Sequence, residues 1–321
     1  MKFLNGFKEI KGDASFRKFY RNKKKKSIII FANKEKNKNL LIYDAVNKIL
    51  IKNNVIAPNL LYQNYQKNYI EIEDLGNQTI YQKFNKHKKY HYHIFKKIIK
   101  TLNKIQLIKD KKIINFMNKT YKIKDYKEKI LLDEVKLFND WYAPKKLSNK
   151  KLKLFNNKFN KEVKSLLLKL NYKNNTFVHR DFHVSNIMWS KKKLGVIDSQ
   201  DAIIGNPLYD VASLIDDVRI KLPQDLQNNL FRFYCQNSKF KKIKIEKLKN
   251  DFDILSVQRN LKILGIFVRL FKRDNKSNYL KYLPYTWLLI ERRMKNPIFD
   301  ELNTLFKKHL PLKKLKKLQF I

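Results

Sequence analysis

The chain of 321 residues has one cysteine, Cys235, so no disulfide can form within it. A lone thiol fits a reducing compartment. Six glycines and seven prolines leave no Gly/Ser-rich or Pro-rich linker to break it into modules. No stretch repeats at a fixed period. The first residues, MKFLNGFKEIKGDAS, have no apolar signal core. The most apolar later stretch, LKILGIFVRLF, is interrupted by Lys262 and Arg269 and is too short to span a bilayer. A soluble cytoplasmic protein with no membrane partner is expected. Acidic residues are scarce: 28 Asp and Glu stand against 72 Lys and Arg, a net charge of +44. Such a balance raises nucleic acid as a partner. The lysines, however, spread along the whole chain and travel with Asn and Ile, which is a compositional drift rather than a patch, and no specific nucleic-acid partner is expected. The runs KKKK (23–26) and LKKLKK (312–317) read as a solvated loop and a frayed basic end.

What is present is enough for a folded core. Hydrophobic residues make up 43% of the chain, which suits one large domain or two lobes. SFRKFYR (15–21) alternates like a strand, and SIIIFA (27–32) is an unbroken apolar run of strand length. A helix is predicted over 40–52, with Leu41, Ala45 and Ile49 at helical spacing, in a region that Pro58 ends. NYIEIEDLG (68–76) alternates again and stops at Gly76. Beyond it the period changes. Ile94, Ile98, Leu102 and Ile105 form one helical stripe within 88–109, and helices are predicted over 125–142 and 157–171. Two short strands, NIMW and LGVID, are joined by SKKK, and 207–321 reads as mostly helical. The expected architecture is α+β and bilobal, with a small β-rich lobe (1–75) before a large helical lobe (76–321).

The stretch FVHRDFHVSNIMW (177–189) holds a polar cluster between apolar runs. Asp181 is followed five residues later by Asn186, and Asp198 ends the next strand twelve residues further on. A loop leading into a hairpin lets all three side chains converge. One carboxylate beside an Asn/Asp pair is what phosphoryl transfer needs. The carboxylate accepts the proton of the attacking hydroxyl, and two oxygen ligands hold Mg²⁺ against nucleotide phosphates. Turn formation and helix capping are the plainer roles for these residues, but HRD-x4-N followed by a hairpin and VID meets three spacings at once.

This pattern resembles the catalytic loop of protein-kinase-like enzymes, in the aminoglycoside phosphotransferase and choline kinase branch. IDSQDAIIGNP (197–207) stands where protein kinases have DFG, and YDVASLIDD (209–217) matches an Asp before a helix in that branch. GDASFRKFYR (12–21), ILLDEVKLFNDWY (130–142), VIDSQDA (196–202) and QRNLKILGIFVRL (258–270) resemble one subfamily, the anomeric kinases of N-acetylmuramate and N-acetylglucosamine used in cell-wall recycling. The resemblance runs over about residues 5–290, as one phosphotransferase domain.

The resemblance implies a set of roles. Asp181 is the catalytic base, and Asn186 and Asp198 are the metal ligands. Gly12, Ala14, Ser15, Phe16 and Arg17 lie over the ATP phosphates, although the segment is not GxGxxG. Backbone groups of Glu71, Ile72, Glu73 and Leu75 bind adenine at the hinge between lobes. Glu134, His183 and Asp201 are candidate substrate contacts. For Glu134 a salt bridge, for His183 packing and for Asp201 a turn cap are the competing roles. His179 and Asp210 brace the catalytic loop. One element departs from the pattern. SIIIFA has no lysine of the kind that grips phosphate in most kinases, which leaves Arg17, Lys18 or Lys34 as candidates. The expected activity is ATP- and Mg²⁺-dependent transfer to the anomeric hydroxyl of N-acetylmuramate or N-acetylglucosamine, by a monomer. Kinases of aminoglycosides, choline or homoserine share the fold, and a catalytically silent nucleic-acid or scaffold binder is the alternative of a different class.

Overall fold

The computed structural model describes residues 5–10, 17–32, 38–87, 91–145, 147–172, 174–190 and 193–310. The basic run at 312–317 lies outside them. The chain forms two compact units, one of residues up to 124 together with 176–204, the other of 125–175 together with residues from 205 on.

The first unit is built on an antiparallel sheet of β1 (Lys8–Ile10), β2 (Lys18–Asn22), β3 (Ser27–Phe31), β4 (Leu60–Asn64) and β5 (Tyr69–Glu73), in the order β1-β2-β3-β5-β4. The KKKK run makes the β2–β3 turn, and Lys26 takes a left-handed φ of 51° there. β3 reads as an unbroken Ile run because it is a central strand: Ile29 and Ile30 are buried. Helix α1 (Asn39–Lys52) covers the sheet, and Ile30, Ala32, Leu40, Tyr43, Ile70 and Ile72 form one apolar cluster. The predicted stripe Ile94, Ile98, Leu102 and Ile105 is buried on α3 (Tyr92–Gln106). A separate helix α2 (Ile80–His87) precedes it, and a small hairpin of β6 (Lys112–Ile114) and β7 (Thr120–Lys122) follows.

The later segment of this unit carries the strand Thr176–Val178 and the hairpin Ile187–Ser190/Lys193–Val196, paired from Ile187↔Val196 to Ser190↔Lys193. Two bridges tie the hairpin down, Ile56↔Gly195 and Thr79↔Met188. Gly195 is required for the first: a Cβ there would stand 2.7 Å from Leu75 Cδ1 and 3.4 Å from Ile56 Cγ2. Residues 76–124 and 176–204 belong with the sheet to the first compact unit.

The second unit is helical. It contains α4 (Glu128–Leu137), α5 (Asn149–Leu168), α6 (Leu208–Ile215), α7 (Gln224–Asn237), the 30-residue α8 (Ile245–Asp274), α9 (Leu283–Arg293) and α10 (Asp300–His309). Among the described residues no helix is long and apolar enough to cross a membrane. The helix predicted over 125–142 ends as a π turn, Phe138–Tyr142. That turn packs Phe138 and Tyr142 into an aromatic cluster with Phe155, Phe159, Trp287 and Phe306, and Trp287 Nε1 donates to Tyr142 Oη at 2.7 Å.

Two contacts in this unit set its energetics. α8 touches the end of α4 at Gly265, where a Cβ would lie 2.2 Å from Leu137 O and 2.7 Å from Phe138 N. Buried Asp216 accepts from Arg293 twice, at 2.8 and 2.7 Å, and also from Gln227 and Ser256.

Gly265→Ala gains about 1 kcal/mol of helix propensity. The added methyl meets backbone rather than a movable side chain, so the overpacking cost of about 1–3 kcal/mol or more prevails. Urea denaturation is expected to show a net loss of about 2 kcal/mol. Asp216→Ala strands the Arg293 guanidinium in the interior, and the same measurement is expected to show a loss of about 3–5 kcal/mol.

Candidate active site

The buried strand Thr176–Val178 ends at His179, and the chain then turns sharply through Arg180, whose φ is +74°. Asp181 follows. Its carbonyl accepts from His183 N at 3.0 Å and from Asn186 Nδ2 at 3.1 Å. A single 3-10 turn, Val184–Asn186, closes with Asn186 N donating to His183 O at 2.9 Å. The five-residue spacing from Asp181 to Asn186 is thus the length of one closed loop. The twelve-residue spacing to Asp198 is closed by the hairpin, where Ile197 N donates to Asn186 O at 3.0 Å. Asp198 itself has a left-handed φ of 63°. It precedes the 3-10 turn Ser199–Asp201 without capping it by its side chain. Two non-glycine residues in this conformation cost about 1–3 kcal/mol each and flank the same spot.

The electrostatics follow from that geometry. His179 is fully buried and its pKa lies below the usual histidine value, because burial disfavours the charged ring. The fields of Asp181, Asp198 and Asp201 act in the opposite sense. A neutral ring packed edge-on to Phe182 therefore sits beneath three carboxylates. Asp198 Oδ1 accepts from Arg17 Nη2 at 2.6 Å and from Gln200 Nε2 at 3.1 Å, and Arg17 Nη1 donates to Gln200 Oε1 at 3.1 Å. Next to this triangle, Ser199 Oγ donates to Asn47 Oδ1 at 2.6 Å, which ties the segment after Asp198 to α1. Tyr43 on α1 lies alongside, its hydroxyl pushed up to about 12 by burial and so neutral. Among the described residues, no hydrogen bond or ion pair takes the Asp181 carboxylate, Asn186 Oδ1 or Asp198 Oδ2. With Asn186 Nδ2 fastened to Asp181 O, Oδ1 is the amide atom left for a cation.

No cluster of three His, Cys, Asp or Glu suited to a metal occurs among the described residues. The donors gathered here are instead one amide oxygen and carboxylates. Hard oxygens in small number fit Mg²⁺, which keeps several waters and takes its remaining ligands from phosphate.

The other expected residues fall as follows. Gly12, Ala14, Ser15 and Phe16 lie outside the described residues, as do Lys34 and Glu35. Arg17 is buried against Asp198. Glu71, Ile72 and Glu73 belong to β5, which is paired on both edges, by β3 and β4. Glu73 N donates to Asn59 O and Asp74 N to Lys26 O, so Leu75 and Gly76 are the first residues beyond the ladder. His183 is buried, with Nε2 3.4 Å from Asn186 Nδ2. Asp201 stands at the rim, 3.1 Å from Gln200 Nε2 and 3.8 Å from Arg180 Nη1.

Two expected residues lie in the second unit. Glu134 is buried there and both its oxygens are engaged, by Lys262 (2.8 Å) on one and by Tyr126 (2.5 Å), Gln258 (3.2 Å) and Tyr209 (3.5 Å) on the other. Asp210 is fully buried in the first turn of α6. Gln200, Tyr43 and Asn47 were missed by sequence reasoning. Gln200 carried a weak signal, since it lies between Asp198 and Asp201. Tyr43 and Asn47 carried none, because they look like ordinary helix residues until the fold brings α1 beside Asp198.

Known proteins resemble this chain in sequence and in fold. Over 91% of its length the chain is 27% identical to a Pseudomonas aeruginosa protein named N-acetylmuramate/N-acetylglucosamine kinase, and it covers 85% of that protein. It is also 27% identical to a Pseudomonas putida protein of the same name, over 85% of this chain and 78% of that one. The fold is similar to that of a choline/ethanolamine kinase family protein from Mesorhizobium loti, with a TM-score of 0.64 at 13% identity, covering 96% of each chain. Residues 6–243 match the profile of the phosphotransferase enzyme family, and the chain belongs to that family.

Proposed function

We propose that this protein is an ATP-dependent kinase that phosphorylates the anomeric hydroxyl of N-acetylmuramate or N-acetylglucosamine, giving the sugar 1-phosphate. The observation that carries the reading is the Asp181 carboxylate, which lacks a partner among the described residues and is fastened through Asn186 to Ile197, next to Asp198. A base needs its lone pairs available and its position fixed. The names of the bacterial relatives supply the acceptor.

In this reading Asp181 orients the anomeric hydroxyl and takes its proton as the oxygen attacks. That hydroxyl is more acidic than an ordinary alcohol, so a carboxylate is an adequate acceptor. Asn186 Oδ1 and Asp198 Oδ2 hold magnesium, which when bound neutralises phosphate charge as the γ-phosphoryl moves. His179 stays neutral and supports the loop from below; a charged ring there would draw the carboxylates inward. Backbone groups near Leu75, past the end of the β5 ladder, receive the adenine. Glu134, held by Lys262 and Tyr126, shapes the second unit, and His183 and Asp201 are the substrate-side candidates beside the base. The protein works as a soluble monomer on a small sugar, without nucleic acid.

Two tests bear on this. A screen for ADP release is expected to show turnover with N-acetylmuramate and N-acetylglucosamine and none with an aminoglycoside, choline or homoserine; turnover of an amino alcohol alone would sink the acceptor assignment. Asp181→Asn is expected to lower kcat by about 10²–10⁴-fold. Its ATP affinity, read by titration calorimetry, is expected to match the parent. An Asp181→Asn enzyme that keeps full turnover would remove the base from the scheme.

A further inference from the structure

We propose that Arg17 is the phosphate-gripping cation of this enzyme, and that Asp198 holds it in the absence of nucleotide. The guanidinium is thereby a latch on the metal-binding carboxylate, which metal and nucleotide open together. The inference rests on the kinase reading above, with Asp198 as a metal ligand.

Three observations lead to it. First, β3 offers no cation. Its sequence is SIIIF, with Ile29 and Ile30 buried. The lysine that grips phosphate in most kinases has no counterpart on this strand. Second, a buried cation comes from the neighbouring strand. Arg17 immediately precedes β2 and is 8% exposed, whereas Lys18 beside it is exposed. β2 pairs with β3 at Lys18↔Phe31, so Arg17 arrives from the end of the sheet where β3 finishes. Third, the cation is aimed at the metal site. Arg17 Nη2 is 2.6 Å from Asp198 Oδ1, Nη1 is 3.1 Å from Gln200 Oε1, and Phe19 covers the guanidinium at 5.5 Å.

The chemistry of the pair gives the latch its two positions. Asp198 Oδ1 already accepts from Arg17 and from Gln200. A divalent ion approaching Asp198 meets a carboxylate whose charge is compensated and one of whose oxygens is occupied. An arginine at contact distance therefore weakens metal binding when no nucleotide is there. Triphosphate reverses the balance. It offers the planar guanidinium a multiply charged set of oxygen acceptors, which arginine's fork grips in two-point fashion where lysine has a single ammonium. Once Arg17 swings to phosphate, Asp198 Oδ1 is released as the metal arrives with the nucleotide. Gln200, which contacts both partners, keeps Asp198 oriented through the exchange. The exchange pairs arginine with aspartate in one state, and arginine and metal with aspartate and phosphate in the other.

The experiment uses the full chain with Arg17→Met and Arg17→Lys, each checked for folding by circular dichroism and thermal melting. ATP is titrated calorimetrically in the presence of EDTA, and Mn²⁺ is titrated without nucleotide. For Arg17→Met, metal-free ATP affinity is expected to fall about tenfold or more, which is the loss of one charge-assisted contact. Nucleotide-free Mn²⁺ affinity is expected to rise by about threefold or more as Asp198 is uncapped. Arg17→Lys keeps the charge but not the fork and is expected to lie between, so it decides the matter if the methionine variant does not fold. A folded variant that binds ATP in EDTA as tightly as the parent, or one that binds Mn²⁺ no better, overturns the latch while leaving the kinase reading in place. A parent protein that binds no ATP at all would overturn both.

Discussion

The hydrogen bond from Ile197 N to Asn186 O, 3.0 Å long, is the constraint on which the candidate site depends. It joins Asn186 and Asp198, the proposed metal-binding pair, which lie twelve residues apart. On one side, Asn186 is locked to Asp181 through its amide and through the 3-10 turn. On the other, Ile197 leads directly into Asp198, whose left-handed backbone turns its carboxylate out of the strand direction. Without this link the proposed base and metal ligands would lie on loops joined only through the rest of the hairpin. With it, the four-residue ladder of the hairpin holds them as one body, and the bridges Ile56↔Gly195 and Thr79↔Met188 pin that body to the first unit.

The cost of such an arrangement is local. Two residues stand in left-handed backbone, a histidine is buried without its charge, and carboxylates crowd one another. The surroundings offset these with well-made contacts. Asn47 anchors Ser199, Tyr43 supplies a neutral hydroxyl beside Asp198, and Arg17 supplies the opposite charge. In the second unit the same logic appears on a structural scale. Asp216 and Arg293 form a bidentate buried pair, and Asp251 collects donors from Asn171, Tyr172 and Asn206, so these two buried carboxylates are surrounded by groups that keep them satisfied.

What could be read in advance follows from the kind of signal each residue carries. The Asp181, Asn186 and Asp198 constellation was legible because its spacing is set by a closed loop and a hairpin, both local in the chain. The buried stripe of α3 and the Ile run of β3 were legible because periodicity and burial are coupled. Strands β1, β4, β6 and β7 were not, being three to five residues long and largely exposed, with no unbroken apolar run. The π turn at Phe138 was hidden because its residues look helical, and the glycine that lets α8 approach it, Gly265, lies more than a hundred residues away. Glu134 was read as a substrate candidate or a salt-bridged residue. Its buried partners, Tyr126, Tyr209, Gln258 and Lys262, come from three separate segments that only the fold brings together.

The strong positive charge also takes its place in this account. With 28 acidic residues in 321, a carboxylate is a scarce group in this chain. Many of those that occur are built into specific contacts: Asp44 with Lys48 and Phe116 N, Asp74 with Arg21, Asp110 with Lys52 and Asn53, Asp216 with Arg293, Asp253 with Lys249 and Asn296. Lysine, by contrast, is scattered over exposed positions, where a side chain can change with little effect on stability. Net charge therefore reports on the exposed surface and says little about the chemistry of the interior. The candidate site of this basic protein is locally acidic, with Asp181, Asp198 and Asp201 set against Arg17 and Arg180. A cluster of that sign attracts a divalent cation, and the local field, not the global charge, is the one these groups experience.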